Sequence, residues 1–168
     1  MAKMANKNSQ QQQRSDDALE EKVLFVNRCS KVVKGGRKFS FSALILVGDR
    51  TGRVGYGFAK ANELTDAIRK GGEAARKNMI QFERDGDTIP HEVFVTFDGA
   101  QLLLKPAPDG TGIVAGSRVR SILEFAGLRN IVAKSLGSNN PINQVKATFK
   151  ALLTLKNKKQ MMGLRGIS

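Results

Sequence analysis

The stretch that decides the fold runs from Val23 to Lys60 and reads VLFVNRCSKVVKGGRKFSFSALILVGDRTGRVGYGFAK. Between Phe39 and Val47 every second residue is apolar, and this period of two is typical of a pleated strand. The segments KGGR (34–37) and GDRTG (48–52) flank that strand, and their glycines can supply the positive φ that hairpin turns require. The stretch therefore predicts three strands joined by two hairpin turns.

The charge of this stretch is one-sided, since it contains eight bases and a single acid, Asp49. The whole chain has 168 residues and a formal net charge of +13, and residues 22–84 hold 14 bases against 5 acids. A positive charge concentrated on one folded unit favours a nucleic-acid surface over a general role in solubility. The predicted surface bases of the stretch are Arg28, Lys31, Lys34, Arg37, Lys38, Arg50, Arg53 and Lys60.

Composition divides the chain into four segments. Residues 1–18 contain little that can be buried, which predicts a disordered tail. Residues 19–85 form a first unit, the turn residues around Asp85 and Pro90 mark a boundary, and residues 86–156 form a second unit. Residues 157–168 are predicted to be a basic C-terminal tail. Because each unit is small, we expect each to have a modest core of its own.

A helix is predicted directly after the third strand. Asn62 is its candidate N-cap, and an apolar stripe continues at helical spacing from Leu64 to Phe82. Gly71 and Gly72 interrupt the helix, where each costs roughly 1 kcal/mol relative to alanine, so we expect a close approach to the sheet or to RNA. The outward side of the helix carries bases at a spacing of seven residues: Arg69, Lys70, Arg76 and Lys77.

The second unit combines predicted strands at 93–97, 102–105 and 131–136 with two helices. Gly127 ends the first of these helices, and Asn140 caps the second, with Pro141 at its first position. The predicted fold class is α+β, with a β-β-β-α unit followed by a β-β-α-β-α unit.

Catalytic and metal chemistry find no support in the sequence. His91 and Cys29 are the single histidine and cysteine, which excludes a usual zinc cluster, a cysteine–histidine pair and an intrachain disulfide. The aspartates of the second half lie beside glycines, where turn geometry accounts for them. We predict neither a cofactor nor a metal. Without an apolar run near 18 residues or a secretory signal, we expect a cytosolic protein with no membrane association.

Two glycine motifs have a functional and a structural interpretation. The sequence GYGF (55–58) is similar to the core of the RNA-recognition-motif signature, but packing of its aromatic residues with close approach at its glycines is favoured. The loop GTGIVAGS (110–117) opens a helix, yet it fits neither the Walker spacing nor the dinucleotide fingerprint. A structural turn or a macromolecular contact is favoured there.

Four long runs occur in order along the chain: VNRCSKVVKGGRKFSFSALILVGDRTGRVGYGFAKANE (26–63), IRKGGEAARKNM (68–79), LKPAPDGTGIVAG (104–116) and AKSLGSNNPINQVKAT (133–148). Together they resemble the bacterial small-subunit ribosomal protein five family, from about Leu19 to Leu155. The resemblance implies a first domain like a double-stranded-RNA-binding domain without its first helix, and a second domain with a left-handed βαβ crossover. It also implies a cytoplasmic place in the small ribosomal subunit, on ribosomal RNA near the messenger RNA entry path and beside small-subunit proteins four and eight.

The same resemblance assigns roles to individual residues. The loop 34–37 would enter an RNA groove, and the predicted contacts with RNA are Arg28, Ser30, Lys31, Lys34, Gly35, Gly36, Arg37, Lys38, Arg50, Arg53 and Lys60. The helix bases Arg69, Lys70, Arg76 and Lys77 are added to this set because of their outward spacing and not because of the resemblance. Cys29, Ser30, Lys31 and Gly35 would border the site where spectinomycin acts. Gly110, Thr111, Gly112 and Arg120 would face protein four, a contact that influences decoding accuracy. The resemblance implies no enzymatic reaction and no obligate small-molecule ligand.

Two other function classes stay open at the level of the sequence. A free-standing RNA chaperone would use the same basic sheet, but it would not need the glycine-rich surface of the second unit. A small-molecule kinase would share the left-handed crossover, but residues 110–117 lack the charged residues that handle a metal-bound triphosphate.

Overall fold

The computed structural model describes residues 19–157, 161–163 and 165–166. The predicted disordered tail 1–18 and, in the predicted basic tail, residues 158–160, 164 and 167–168 lie outside the described residues. The described elements follow in chain order: β1 (Glu20–Val33), β2 (Gly36–Gly48), β3 (Arg53–Ala61), α1 (Leu64–Lys77), β4 (Met79–Gln81), β5 (Val93–Phe97), β6 (Ala100–Pro106), β7 (Ile113–Val114), α2 (Ser117–Phe125), β8 (Ile131–Gly137) and α3 (Pro141–Thr154).

The first sheet has the order β1-β2-β3-β4 with antiparallel neighbours, so the three predicted strands and both hairpin turns are confirmed. Two predictions about the following helix are wrong. The N-cap is Glu63 and not Asn62, and its side chain makes no capping hydrogen bond. The helix ends at Lys77, so Met79 belongs to the short strand β4 because it pairs with Gly55 of β3.

The second sheet has the order β5-β6-β8-β7. The short strand β7, which was not predicted, runs parallel to β8 and is connected to it through α2. This is the strand–helix–strand crossover that the resemblance implies, and its left-handedness stays a prediction. Asn140 caps α3 by accepting a hydrogen bond from the Ile142 amide at 3.1 Å, as predicted. The predicted α+β fold class is confirmed.

Strand β2 is buried on both faces over its second half, from Ser42 to Gly48. Ala43, Ile45 and Val47 pack with α1 on one face. Leu44 and Leu46 enter a larger core on the other face, together with Ile122 and other residues of the second unit. The larger core thus joins residues of both predicted units, so the expectation that each unit has a separate core of its own is wrong.

Helix α1 approaches the sheet closely at glycine positions. A Cβ on Gly71 would lie 2.7 Å from Cγ1 of Ile45, and one on Gly57 would collide with the Gly71 carbonyl oxygen and lie 2.6 Å from the Ala75 nitrogen. This confirms the close approach predicted at Gly55 and Gly57 and the approach to the sheet predicted for Gly71. The packing predicted for Phe58 is wrong, because its side chain is 39% exposed. Tyr56, which follows Gly55 and precedes Gly57 in the sequence, packs edge-on against Phe149 of α3 at a distance of 4.6 Å between the ring centroids.

We expect Gly57→Ala to destabilise the protein by about 2–3 kcal/mol, because the new methyl group meets helix backbone that cannot rotate away. The matched control is Gly163→Ala, where a Cβ meets nothing within 4 Å. Urea unfolding of both variants checks this prediction. Equal stability of Gly57→Ala and the parent would contradict the described packing of α1 on the sheet.

Candidate nucleic-acid interface

The hairpin of β1 and β2 extends beyond the rest of the first sheet. Strand β3 pairs with β2 only from Phe41 onward, so among the described residues Gly36–Ser40 pair with β1 alone. These five residues form, with Arg28–Val33, a two-stranded arm roughly 17 Å long. Most residues of the arm are exposed. The arm brings together nine of the predicted RNA-binding residues: Arg28, Ser30, Lys31, Lys34, Gly35, Gly36, Arg37, Lys38 and, at its base on β3, Lys60.

The strand register gives the arm two chemically different faces, because residues directly opposite each other share a face. One face carries the pairs Cys29–Ser40 and Lys31–Lys38, and we call these four residues the lysine face. It continues toward the second unit, since Ser42 pairs with Lys60 and Leu44 enters the larger core. The other face carries Arg28, Ser30, Val32, Arg37 and Phe39, which we call the arginine face.

Lys31 and Lys38 lie directly opposite each other, and neither forms an ion pair with a described residue. Like charges opposite each other destabilise a strand pair. The arm therefore carries an unfavourable charge arrangement in isolation, which a polyanion would relieve.

The turn at the tip of the arm has the backbone predicted for it. Gly35 has φ +105° and Gly36 has φ +148°, values that favour glycine. A Cβ at either position would meet nothing within 4 Å, so the tip projects into open space. Lys34 and Arg37 flank these glycines and are exposed.

The second hairpin turn is different, because it is packed against the end of α2. The Arg50 amide donates to the Phe125 carbonyl oxygen at 3.1 Å. The Arg50 guanidinium pairs with Glu20 at 2.6 Å, and Arg53 pairs with Asp49 at 2.6 Å. The structure thus gives both predicted RNA-binding arginines partners within the chain, and their contact with RNA stays a prediction.

The Asp49 side chain, which is 4% exposed, holds that turn together through hydrogen bonds. Its carboxylate accepts hydrogen bonds from the Thr51 amide at 2.8 Å and from the Arg53 amide at 3.1 Å. Burial acts to raise the pKa of Asp49, but the hydrogen bonds from Thr51 and Arg53 outweigh it and lower the pKa from 3.8 to about 2.

The four bases on the outer side of α1 are exposed as predicted, but they differ in their partners. Arg69 pairs with Glu73 at 3.0 Å and Arg76 with Glu21 at 3.0 Å. Lys70 and Lys77 form no ion pair with a described residue. The two lysines are therefore the more available of these predicted phosphate contacts.

The predicted protein-contact residues Gly110, Thr111 and Arg120 are exposed on one loop and the helix after it, and Gly112 is half-buried. The buried Asn130 holds this loop, since its Oδ1 accepts from the Gly112 amide at 3.1 Å and its Nδ2 donates to Asp109 at 3.0 Å. Arg120 donates to the Ile113 carbonyl oxygen at 2.9 Å. The loop is thus a fixed surface, which fits the favoured interpretation as a turn or macromolecular contact.

Sequence reasoning missed Arg118, which lies at the base of the lysine face. Its guanidinium is 5.8 Å from the Phe25 ring, and Phe25 pairs with Leu44 on that face. Hydrogen bonds to Gln144 at 3.1 Å and Asn139 at 3.3 Å orient it. No local pattern distinguishes Arg118 from Arg120, because its place depends on packing of α2 against the first sheet.

Within the described ranges, no group of three or more histidine, cysteine, aspartate or glutamate side chains has the geometry to hold a metal ion. In the same part of the chain, none of the helices has the length and apolar character needed to span a membrane.

These elements define a two-sheet α+β protein with a basic hairpin arm. A family profile described as "Ribosomal protein S5, N-terminal domain" matches residues 19–83, and one described as "Ribosomal protein S5, C-terminal domain" matches residues 95–165. The chain belongs to the ribosomal protein S5 family, and the resemblance found in the sequence is confirmed.

Curated relatives carry the name "Small ribosomal subunit protein uS5". The protein of Chlamydia abortus is 76% identical over 154 residues, which cover 91% of this chain and 93% of the relative. That of Chlamydia trachomatis serovar D is 73% identical over 153 residues, covering 90% and 93%. That of Protochlamydia amoebophila is 64% identical over 167 residues, covering 99% and 100%.

We expect Asp49 to contribute a pH-dependent term to stability. Because its pKa is lower in the folded protein than in the unfolded chain, its ionised form stabilises the fold by about 2 kcal/mol above pH 4, and this term is lost as the pH falls toward 2. Urea unfolding of the parent and Asp49→Asn should show a stability difference at pH 7 that shrinks between pH 4 and pH 2. A difference that stays constant across that range would contradict the assigned pKa.

Proposed function

We propose that this chain binds ribosomal RNA with its hairpin arm, as a structural component of the small ribosomal subunit. Membership in the S5 family makes it a ribosomal structural protein, and this family is not an enzyme family. Its place of action is accordingly the small ribosomal subunit in the cytoplasm.

The observation that carries the proposal is that Lys31 and Lys38 lie opposite each other with no ion-pair partner among the described residues, on an arm whose tip is open. Each RNA phosphate that a lysine neutralises releases a condensed counterion, which favours binding at low salt. An arm of two strands with an exposed glycine tip can approach a backbone closely. Shape and charge, without reading of paired bases, are the usual basis for recognising an A-form helix.

The lysine face extends the contact from the arm to the second unit. Lys60 on β3 and Arg118 on α2 lie on the same side of the sheet as Lys31 and Lys38. We infer one track of positive charge along this side, with the arm tip entering a groove and the base of the track following a phosphate backbone. Lys70 and Lys77 on α1 are a separate, secondary contact.

The partners and processes implied by the resemblance belong to this proposal. The partners are small-subunit proteins four and eight and messenger RNA near the entry path. The contact with protein four, through Gly110, Thr111, Gly112 and Arg120, would influence decoding accuracy. The spectinomycin site would lie near Cys29, Ser30, Lys31 and Gly35. The fixed geometry of the 110–120 segment supports a protein contact there. A density map of small subunits containing this chain tests it, and a segment 110–120 exposed to solvent would contradict it.

The salt dependence of RNA binding should distinguish the effect of charge at the arm tip from the effect of backbone conformation there. Lys34→Ala and Arg37→Ala each remove a phosphate contact, so each should lower the slope of log affinity against log salt by about one unit. Gly36→Val should weaken binding at an unchanged slope, because φ +148° is strained for valine and the charge count is the same. Affinities for a labelled RNA duplex of about 16 base pairs provide the measurement.

The matched control for these variants is Lys134→Ala, which removes an exposed lysine from β8 in the second sheet. Its slope should equal that of the parent. If all variants share one slope, or if Gly36→Val binds as the parent does, the arm tip is not inserted in RNA.

A further inference from the structure

On the arginine face of the arm, Arg28 lies against the aromatic ring of Phe39, a contact that phosphate binding does not require. The Arg28 guanidinium lies 3.8 Å from the centroid of the Phe39 ring, the shortest such distance within the described residues. At this distance the guanidinium covers the ring. The pair forms a platform that is held on two neighbouring strands.

The platform is next to apolar surface that the fold leaves uncovered. Val32 is 74% exposed and Phe39 is 42% exposed. Strand β3 does not reach this part of β2, and the core between the sheet and α1 begins only at Phe41 and Ala43. Arg37, directly opposite Val32, provides a second cation at the edge. The result is a small apolar surface bordered by two guanidinium groups.

Charge indicates which kind of partner fits this surface. Residues 28–38 hold five bases and no acid, so a nucleic acid is favoured over a protein surface of ordinary composition. The bases of an A-form duplex are stacked inside the helix and cannot lie on an outside platform. An unpaired nucleotide can, because aromatic rings and guanidinium planes both stack on its base.

We propose that the arginine face binds one unpaired RNA base, stacked against Phe39 and Arg28, while the lysine face holds phosphates of the adjoining duplex. This inference rests on the proposed RNA binding and adds a ligand to it: a bulged or loop nucleotide beside a helix. The two faces of the arm would then have different tasks, charge neutralisation on one and base stacking on the other.

The experiment compares two RNA hairpins that differ by a single bulged 2-aminopurine, each titrated with the full chain. The parent should bind the bulged RNA on the order of tenfold more tightly, and 2-aminopurine fluorescence should fall as the base stacks. Phe39→Leu should remove most of this preference, while affinity for the paired hairpin and the salt slope stay as in the parent. Arg28→Lys keeps the charge and loses the planar group, so it should reduce the preference at an unchanged slope.

The matched control is Phe94→Leu, which alters a phenylalanine that is 56% exposed on β5, in the second sheet, to which the arm strands do not belong. It should keep the full preference for the bulge. Because Phe39 is exposed, its leucine variant should fold, and Arg28→Lys carries the test if it does not.

Three outcomes would overturn the inference. If the parent binds both hairpins equally and the fluorescence is unchanged, the base site does not exist although RNA binding stands. If Phe39→Leu weakens binding to both hairpins alike, Phe39 supports the arm structurally and does not stack. If Phe39→Leu keeps the bulge preference but impairs subunit assembly, the face contacts a protein. A parent that binds neither RNA would contradict the proposed function itself.

Discussion

Burial of strand β2 on both faces is the constraint on which the rest of the structure depends. Ala43, Ile45 and Val47 contact the α1 side, and Leu44 and Leu46 contact the core of the second unit. A change of register by one residue would exchange these two sets of side chains, so pairing with β1 and β3 is strongly specified. The fixed register in turn determines which arm residues belong to the lysine face and which to the arginine face.

The same strand that is fully buried at one end forms half of an exposed arm at the other. Because Gly36–Ser40 pair with β1 alone within the described part of the chain, the order of the arm depends on its hairpin hydrogen bonds and on the anchored half of β2. The docked turn at Asp49 and Arg50 fixes the other end of β2 against α2. We infer that the shared core supports the arm, and that RNA supplies the charge compensation that Lys31 and Lys38 do not receive from any described residue.

Local patterns in the sequence predicted the three strands, the positive φ at Gly35 and Gly36 and the Asn140 cap, because each depends on neighbouring residues. A glycine inside a helix predicted the close approach of Gly71, but not that Ile45 is its contact. The packing of Leu44 and Leu46 against residues of the second unit was not predicted, because the period of two in a strand does not show which element covers each face. The pairing of Arg50 with Glu20 joins residues 30 positions apart, and Arg118 reaches the interface through helix packing. The Arg50–Glu20 ion pair and the position of Arg118 both depend on tertiary structure, which the periodicity of the sequence does not reveal. Strand β4 has three residues, too few for any periodic signal.

Amide hydrogen exchange on the full chain, with and without RNA, tests most directly whether a doubly buried strand supports an RNA-dependent arm. Amides of residues 43–47 should exchange only by global unfolding in both states, because two cores cover them. Amides of residues 28–40 should exchange much faster in the free protein and become protected when RNA is added. Arm amides that are as protected as those of residues 43–47 without RNA, or that gain no protection with it, would contradict this account.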